Sequence, residues 1–201
     1  MSINVCNDRS MASITSLPSG VSGGSLVLLS EQTASSSANI SFTSGIDSTY
    51  KEYIFKFINI HPATDTVNFQ FNGSTDSGSN YNVTKTTSFF YAYHGESDTP
   101  ASMNYEGALD LAQSTSFQPI SDVIGNDNDQ VGCGFLHLFN PSSTTFVKHF
   151  ICTSNVLSHN DRSINSYVAG YFNTTSAINA VRFQVSSGNI DAGTIKMYGV
   201  V

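Results

Sequence analysis

The chain has 201 residues, of which 11% are charged, and its formal net charge is −7. Its eight Lys and Arg residues are scattered singly, which argues against a nucleic-acid site, because such a site needs a basic stripe to displace counterions. Its 14 Phe and 9 Tyr supply enough apolar area to offset chain entropy, which argues against a disordered chain.

Residues 1–24 are rich in Ser and Gly and show no periodicity, so they are predicted to form an N-terminal arm or connector. Such an arm either frays or docks on a neighbouring subunit. The segment has no basic region followed by an apolar core, so no export signal is predicted. Because the chain contains no run of 18 or more apolar residues, no membrane insertion is expected either.

From Ser25 onward, segments of period two alternate with turn clusters, which is typical of β-strands. The most strongly patterned segment, Tyr50–Ile60, is apolar on both of its faces. It is therefore predicted to be a central strand or to lie under an oligomer contact. The residues predicted to form that interface are Tyr53, Ile54, Phe55 and Ile58, with Ile60 on the same face as Ile54 and Ile58.

The middle of the chain predicts two antiparallel neighbours, Val67–Asn72 and Lys85–His94, joined by a turn rich in Gly, Ser, Asp and Asn. Residues 103–113 are compatible with one or two helical turns. Pro119 predicts an edge strand or a loop, since a central strand does not tolerate proline.

The last third predicts a hairpin of Gly132–Asn140 and Phe146–Thr153, followed by three more short strands. The chain therefore has about ten strands at the spacing of a sandwich or barrel. We predict an all-β fold, an antiparallel β-sandwich of jelly-roll-like type, in which residues 25–201 form a single domain.

Candidate metal ligands are few. In the run GNDNDQ, Asp127 and Asp129 offer oxygen ligands at the alternate spacing of calcium loops, but the internal Gly and the distal Glu of such loops are missing. A solvated acidic turn is the favoured interpretation. The chain's Cys and His residues show no CxxC pair and no metal-ligand spacing, so no cofactor is expected. Cys133 and Cys152 are interpreted as buried apolar residues, or else as a disulfide.

No catalytic residue is predicted. The chain has no GxSxG elbow, and its four Glu residues do not suggest the paired acids that glycoside hydrolysis requires. A carbohydrate platform is an alternative use of the loops SDSGSNYN and HGESDTP, because aromatic side chains lie near them. These residues are Tyr81, Tyr91, Tyr93 and Tyr105, for which packing in the core is the competing interpretation.

Four runs of sequence resemble small virion proteins of tailed bacteriophages, particularly those infecting aquatic bacteria such as cyanobacteria. They are SFTSGIDSTYKEYIFKFINIHPATD, GNDNDQ, LFNPSSTTFVKHF and SSGNIDAGTIKMYGV, and the resemblance extends over Ser25–Val201. It implies a structural, tail-fibre or capsid-associated role and self-assembly, commonly as trimers or on symmetric lattices. It brings no catalytic motif and no defined site.

The sequence therefore predicts a non-enzymatic structural component of a phage virion, either a capsid decoration or cement protein or a tail or fibre protein. The expected partners are copies of itself, with a trimer favoured, and other virion proteins. A receptor- or glycan-binding module of a tail fibre, which would contact a glycan on the host surface, is the alternative function.

Overall fold

The computed structural model describes residues 25–201, which form twelve β-strands and no helix. Two antiparallel sheets pack as a sandwich, which confirms the predicted all-β fold class. The strands are β1 (Leu26–Ser37), β2 (Ile40–Phe42), β3 (Glu52–Pro62), β4 (Phe69–Ser74), β5 (Lys85–Gly95), β6 (Ala101–Tyr105), β7 (Gln118–Pro119), β8 (Gly132–Phe139), β9 (Lys148–Leu157), β10 (Arg162–Phe172), β11 (Ala180–Val185) and β12 (Ile190–Val200).

The two sheets differ in width. The large sheet has eight strands in the order β1-β12-β3-β8-β9-β10-β5-β6, and the small sheet has four in the order β2-β11-β4-β7. This topology does not confirm a jelly roll. Pro119 lies in β7, at the edge of the small sheet, as expected of a residue that cannot donate to a ladder.

The core lies between the sheets and is centred on Phe183 of β11. Its ring is fully buried and contacts five other phenylalanines. Centroid distances from 5.3 to 6.3 Å and mostly edge-to-face or tilted geometry are those that aromatic quadrupoles favour. The five partners are Phe42, Phe55, Phe57, Phe69 and Phe71.

A bulge in β3 changes the face on which its last residues lie. The register of β3 shifts between Phe57 and Ile60, and Asn59 has a φ of 52°. On β12 the bulge faces Gly193, where a Cβ would lie 2.7 Å from the Asn59 carbonyl oxygen. Because the bulge inserts a residue, Ile60 turns inward and is 1% exposed. The prediction that Ile60 shares a face with Ile54 and Ile58 was therefore wrong.

Two predicted pairings have different outcomes. The hairpin of β8 and β9 is confirmed, with Leu136 opposite Cys152. The predicted pairing of Val67–Asn72 with Lys85–His94 is wrong, because β4 belongs to the small sheet and β5 to the large one. Residues 75–84 cross between the sheets. Residues 103–113 contain the end of β6 and turns, not helix.

Two buried lysines flank Phe172 at one end of the inner face of the large sheet. Lys85 and Lys148 are each paired with Phe172 across the ladder, and both are fully buried. The Lys85 Nζ donates to the carbonyl oxygens of Val83 and Ser116 at 3.2 and 2.5 Å. Burial lowers the pKa of Lys85 to about 7 and also lowers that of Lys148. Each ammonium therefore ties loops to the sheet at a desolvation cost.

Candidate functional site

The outer face of the large sheet has no sheet packed on it within residues 25–201. We call this surface the exposed face. The ladder registers place one row of its side chains across six neighbouring strands. That row runs Lys56, Phe135, Thr153, Tyr167, Phe90 and Tyr105, from β3 to β6.

Large apolar side chains are concentrated on the exposed face. Phe90 and Tyr167 stack with ring centroids 5.0 Å apart, and Ile151 is 50% exposed. Sheet faces in contact with water normally carry polar residues, so this concentration of aromatic and aliphatic side chains is unusual for a face with no sheet packed on it. The other exposed apolar side chains on this face are Leu26, Leu28, Ile58, Met103, Tyr105 and Phe135.

Charged side chains occupy one half of the exposed face. In the half formed by β1, β12, β3 and β8, the Nζ of Lys196 lies 3.0 Å from a Glu31 carboxylate oxygen, and Glu52 contacts His137. The half formed by β9, β10, β5 and β6 presents no outward Asp, Glu, Lys or Arg within those strands. The Asp110 carboxylate borders this half only at its β6 edge, through Tyr105, so β9, β10 and β5 could be covered without desolvating a charge of their own.

Two shallow grooves on the exposed face meet at Ile151 and Ala169. One has a volume of about 570 Å³ and extends toward Tyr171 and His149. The other, of about 170 Å³, extends toward Phe90 and Tyr167. The small Ala169 side chain leaves this depression between its larger neighbours, so the face has relief that a complementary surface can fill.

The predicted interface residues divide between the two faces of β3. Tyr53 and Phe55 are 0% exposed within the sandwich, so the prediction that they form an oligomer interface was wrong. Ile54 and Ile58 do lie on the exposed face, where Ile58 is 41% exposed and Ile54 is 8% exposed. The alternation was correctly recognised, but one apolar side of this central strand is satisfied by the chain's own small sheet.

The four predicted platform tyrosines are not brought together. Tyr81 is buried, its ring is covered by the Arg182 guanidinium at 4.1 Å, and its hydroxyl has no hydrogen-bond partner among the described residues. Tyr105 lies on the exposed face and its hydroxyl donates to the Asp110 carboxylate. Tyr91 and Tyr93 do meet, since their rings stack with centroids 6.0 Å apart.

Tyr91 and Tyr93 lie on the inner face of the large sheet, yet both are only partly buried. Desolvation, followed by the carboxylates of Asp122 and Glu106, raises the pKa of Tyr91. Desolvation raises the pKa of Asp122 as well, and the Glu106 carboxylate adds to this shift. The two acids therefore lie near the tyrosine pair.

The predicted calcium ligands Asp127 and Asp129 are exposed in the turn before β8. This turn is closed by protein groups: the Asp127 N–H faces the Gln130 Oε1 at 3.3 Å, and the Gln130 N–H donates to the Asp127 carbonyl oxygen. Within residues 25–201, no group of three or more His, Cys, Asp or Glu side chains is placed to hold a metal ion.

The two described cysteines are both free, so they do not form the disulfide that the sequence left open. Cys152 lies in the core and Cys133 is exposed on the opposite side of the sheet. Burial of Cys152 is as predicted. Burial of Cys133 was predicted wrongly, because Cys133 alternates onto the outer side of β8 with Phe135, where its Sγ accepts the Asn59 N–H at 3.3 Å.

Several site residues were missed from the sequence. Residues 148–157 alternate, so Ile151 lies on the face of the strand opposite to that of the core residues Phe150 and Cys152. This pattern could have identified Ile151. Asp122 and Arg162 carry no local signal, because their positions beside the tyrosines depend on how separate loops and strands pack.

Comparisons with known proteins found nothing similar: no family model, no curated protein and no solved structure matches this chain. In the part of the chain that the structure describes, there is no helix long and apolar enough to cross a membrane.

Proposed function

We propose that this chain is a non-enzymatic structural component of a phage virion that assembles with copies of itself through the exposed face. The observation that carries the proposal is the uncharged apolar half of that face, centred on Phe90, Ile151 and Tyr167. Burying such a surface is favourable, at roughly 25 cal/mol per Å² of apolar area.

The size of the face matches what a stable contact between two copies needs. Eight strands about 4.8 Å apart, with about six residues of each at about 3.4 Å per residue, give roughly 750 Å². A standard protein interface buries about 800 Å² on each partner. A contact over all eight strands would therefore approach this standard size, whereas one confined to the four strands of the apolar half would cover roughly half of it.

A self-complementary contact also fits the distribution of charge. The apolar half can lie against the apolar half of a second copy. Lys196 then keeps its contact with Glu31, and Glu52 keeps its contact with His137, so neither is buried as an unpaired charge. Such a contact has twofold symmetry, whereas the trimer expected from the sequence requires unlike surfaces to meet around a threefold axis.

The virion location rests on the resemblance of the four sequence runs to phage virion proteins. Within that setting, a wide aromatic face suits a capsid decoration or cement protein, or a tail or fibre part, because each works by covering or joining neighbours. Immunogold labelling of intact particles tests the location: label on the particle surface supports it, and label confined to the non-particle fraction of a lysate contradicts it.

Sedimentation velocity tests assembly through the exposed face. At micromolar concentration we expect an oligomer of the wild-type protein, and its mass distinguishes a dimer from the predicted trimer. Ile151→Glu and Tyr167→Glu each place a carboxylate in the apolar half, so both variants should sediment as monomers. A wild-type monomer, or variants that keep the oligomeric mass, would contradict the proposal.

A matched control separates the effect of position from that of charge. Ser187 is exposed in the turn between β11 and β12, away from the exposed face. Ser187→Glu adds the same charge and should leave the oligomeric mass unchanged. Dissociation by Ser187→Glu as well would show that net charge, not the exposed face, controls association.

A further inference from the structure

A strip of the inner face of the large sheet is left partly open beside the sandwich core. Tyr91 and Tyr93 point to the same side as the buried Phe89, but both remain partly accessible. Their rings are 6.0 Å apart and inclined by 29°. The strip therefore presents two stacked, partly accessible tyrosine rings, which form a different surface from the exposed face on the other side of the sheet.

Polar groups border Tyr91. Asn104 is the ladder partner of Tyr91 on β6, so its side chain lies on the same face of the sheet beside Tyr91. Asp122 is anchored through its backbone, because its N–H donates to the Ser166 Oγ at 3.2 Å. Among the described residues, no side chain donates a hydrogen bond to the Asp122 carboxylate, which is only partly accessible. A half-buried carboxylate of this kind can accept bonds from a ligand's hydroxyl groups.

A polar cleft adjoins the other end of the strip. Its volume is about 420 Å³, within the range of about 300–1,000 Å³ typical of small-molecule sites. Two turns form it, and the Glu96 N–H donates to the Asp161 carbonyl oxygen at 3.0 Å to join them. Its lining residues are Gly95, Glu96, Ser97, Thr99, Pro100, Asn160, Asp161 and Arg162.

Arg162 connects the cleft to the tyrosines. It lines the cleft, and its guanidinium carbon lies 5.0 Å from the centroid of the Tyr93 ring. This cation–π contact holds a donor group at the junction. From Tyr91 to Gly95 the strand advances roughly 14 Å, at about 3.4 Å per residue. The aromatic strip and the cleft thus form one continuous surface, long enough for more than one sugar ring.

We propose that this surface, which comprises Tyr91, Tyr93, Asp122, Arg162 and the adjoining cleft, binds a neutral oligosaccharide. Sugar rings have apolar faces that can pack against the accessible parts of the two tyrosine rings, and their hydroxyl groups can bond to Asp122, Asn104 and the cleft residues. Anionic sugars are disfavoured because the carboxylates of Asp122, Glu106, Glu96 and Asp161 outnumber the single guanidinium.

A glycan array that carries both neutral and sialylated oligosaccharides tests the proposal, and its hits are then titrated by calorimetry. We expect the wild-type protein to bind neutral members and none of the sialylated ones. Tyr93→Ala and Asp122→Asn should each weaken the titrated affinity by about tenfold or more, through loss of stacking and of a hydrogen-bond acceptor. Asp122→Asn keeps the side-chain shape, so it remains informative if Tyr93→Ala fails to fold.

Tyr50→Ala is the matched control, since Tyr50 is a partly buried tyrosine that contacts Tyr53 and lies before β3, outside the proposed sugar site. It should bind the neutral glycans as the wild type does. The proposal is overturned if no neutral glycan binds, if sialylated glycans bind equally well, or if Asp122→Asn binds with unchanged affinity. Sedimentation keeps this result separate from the proposed assembly, because Asp122→Asn should leave the oligomeric mass unchanged.

Discussion

The two faces of the large sheet carry similar apolar side chains, but only those of the inner face are buried. On the inner face Phe55, Phe89 and Phe150 are covered by the small sheet and its loops. On the outer face Phe90, Phe135 and Ile151 remain 41–50% exposed. The comparison teaches that apolar residues at every second position identify an apolar face of a strand. They do not say whether the surface that packs on this face belongs to the same chain or to another one.

The largest expected effect of a single substitution is in the shared core. Phe183→Ala removes a fully buried ring that contacts five others. We expect the free energy of unfolding to fall by about 3–5 kcal/mol, from lost burial and the cavity that remains. Urea unfolding followed by circular dichroism measures it. A loss no larger than that of Phe135→Ala, on the exposed face, would show that the two faces contribute equally to the stability of the folded chain.

The buried lysine predicts a pH dependence that belongs to the inner face. Lys85 has its pKa lowered from 10.5 to about 7 by burial, so between these values the unfolded chain binds a proton that the folded chain does not. Stability from this group is therefore lowest below pH 7 and rises with pH above it. The slope is at most about 1.4 kcal/mol per pH unit.

Lys85→Met removes this titration, so the rise of the unfolding free energy between about pH 7.5 and 9.5, where raised Tyr53 ionisation does not yet interfere, should be smaller than in the wild type. The difference between the two slopes isolates Lys85, because Lys148 and Cys152, whose pKa values burial also shifts, titrate in both proteins. Lys196→Met is the control, because Glu31 raises the Lys196 pKa and its stability contribution is constant over that window. If Lys85→Met has the same slope as the wild type, the folded chain binds the Lys85 proton as readily as the unfolded one.

A smaller effect is expected at the inner hydroxyl of Tyr53. This oxygen accepts the Asp47 N–H at 2.9 Å and donates to the Asp47 carbonyl oxygen at 3.0 Å. Tyr53→Phe leaves both backbone groups without that partner, which should cost about 1–2 kcal/mol of unfolding free energy. Tyr198→Phe, on the exposed face, removes a hydroxyl that makes no side-chain hydrogen bond among the described residues. Equal losses of unfolding free energy in Tyr53→Phe and Tyr198→Phe would show that the hydrogen bonds of the Tyr53 hydroxyl do not stabilise the folded chain.

Much of the fold could be predicted from the sequence, because alternation is a local property. The segment 148–157 alternates buried and accessible residues without interruption, and the hairpin with Gly132–Asn140 was found from it. Sheet membership was not predictable in this way. Nothing in Val67–Asn72 says that its partners are β11 and β7, since alternation sets the face of a strand but not its neighbour.

The candidate sites were less predictable for the same reason. Tyr91 and Tyr93 were identified because they alternate in a strand beside a loop. Tyr81 lies beside a loop as well, and its local sequence supports a platform equally, yet it is buried under Arg182. What separates them is how far the small sheet extends over the large one. The bulge at Asn59 is a second non-local event, because it depends on Gly193 in a strand far along the chain.

The smallest expected effect on the stability of the folded chain is that of a substitution on the exposed face. It is compared with a similar substitution on the inner face of the adjacent strand. Ile151→Thr lies on the exposed face, and we expect it to change unfolding free energy by no more than about 0.5 kcal/mol. Val168→Thr, on the next strand and 1% exposed, buries a hydroxyl and should cost about 1–3 kcal/mol.

Association should show the opposite order. Ile151→Thr removes apolar area from the proposed contact, so it should raise the dissociation constant measured by sedimentation equilibrium, whereas Val168→Thr should leave that constant unchanged. Unfolding is measured at two protein concentrations, because association adds apparent stability at the higher one. If Ile151→Thr lowers the unfolding free energy of the dilute protein as much as Val168→Thr does, Ile151 stabilises the single folded chain. That result would contradict a role of Ile151 confined to the contact between copies.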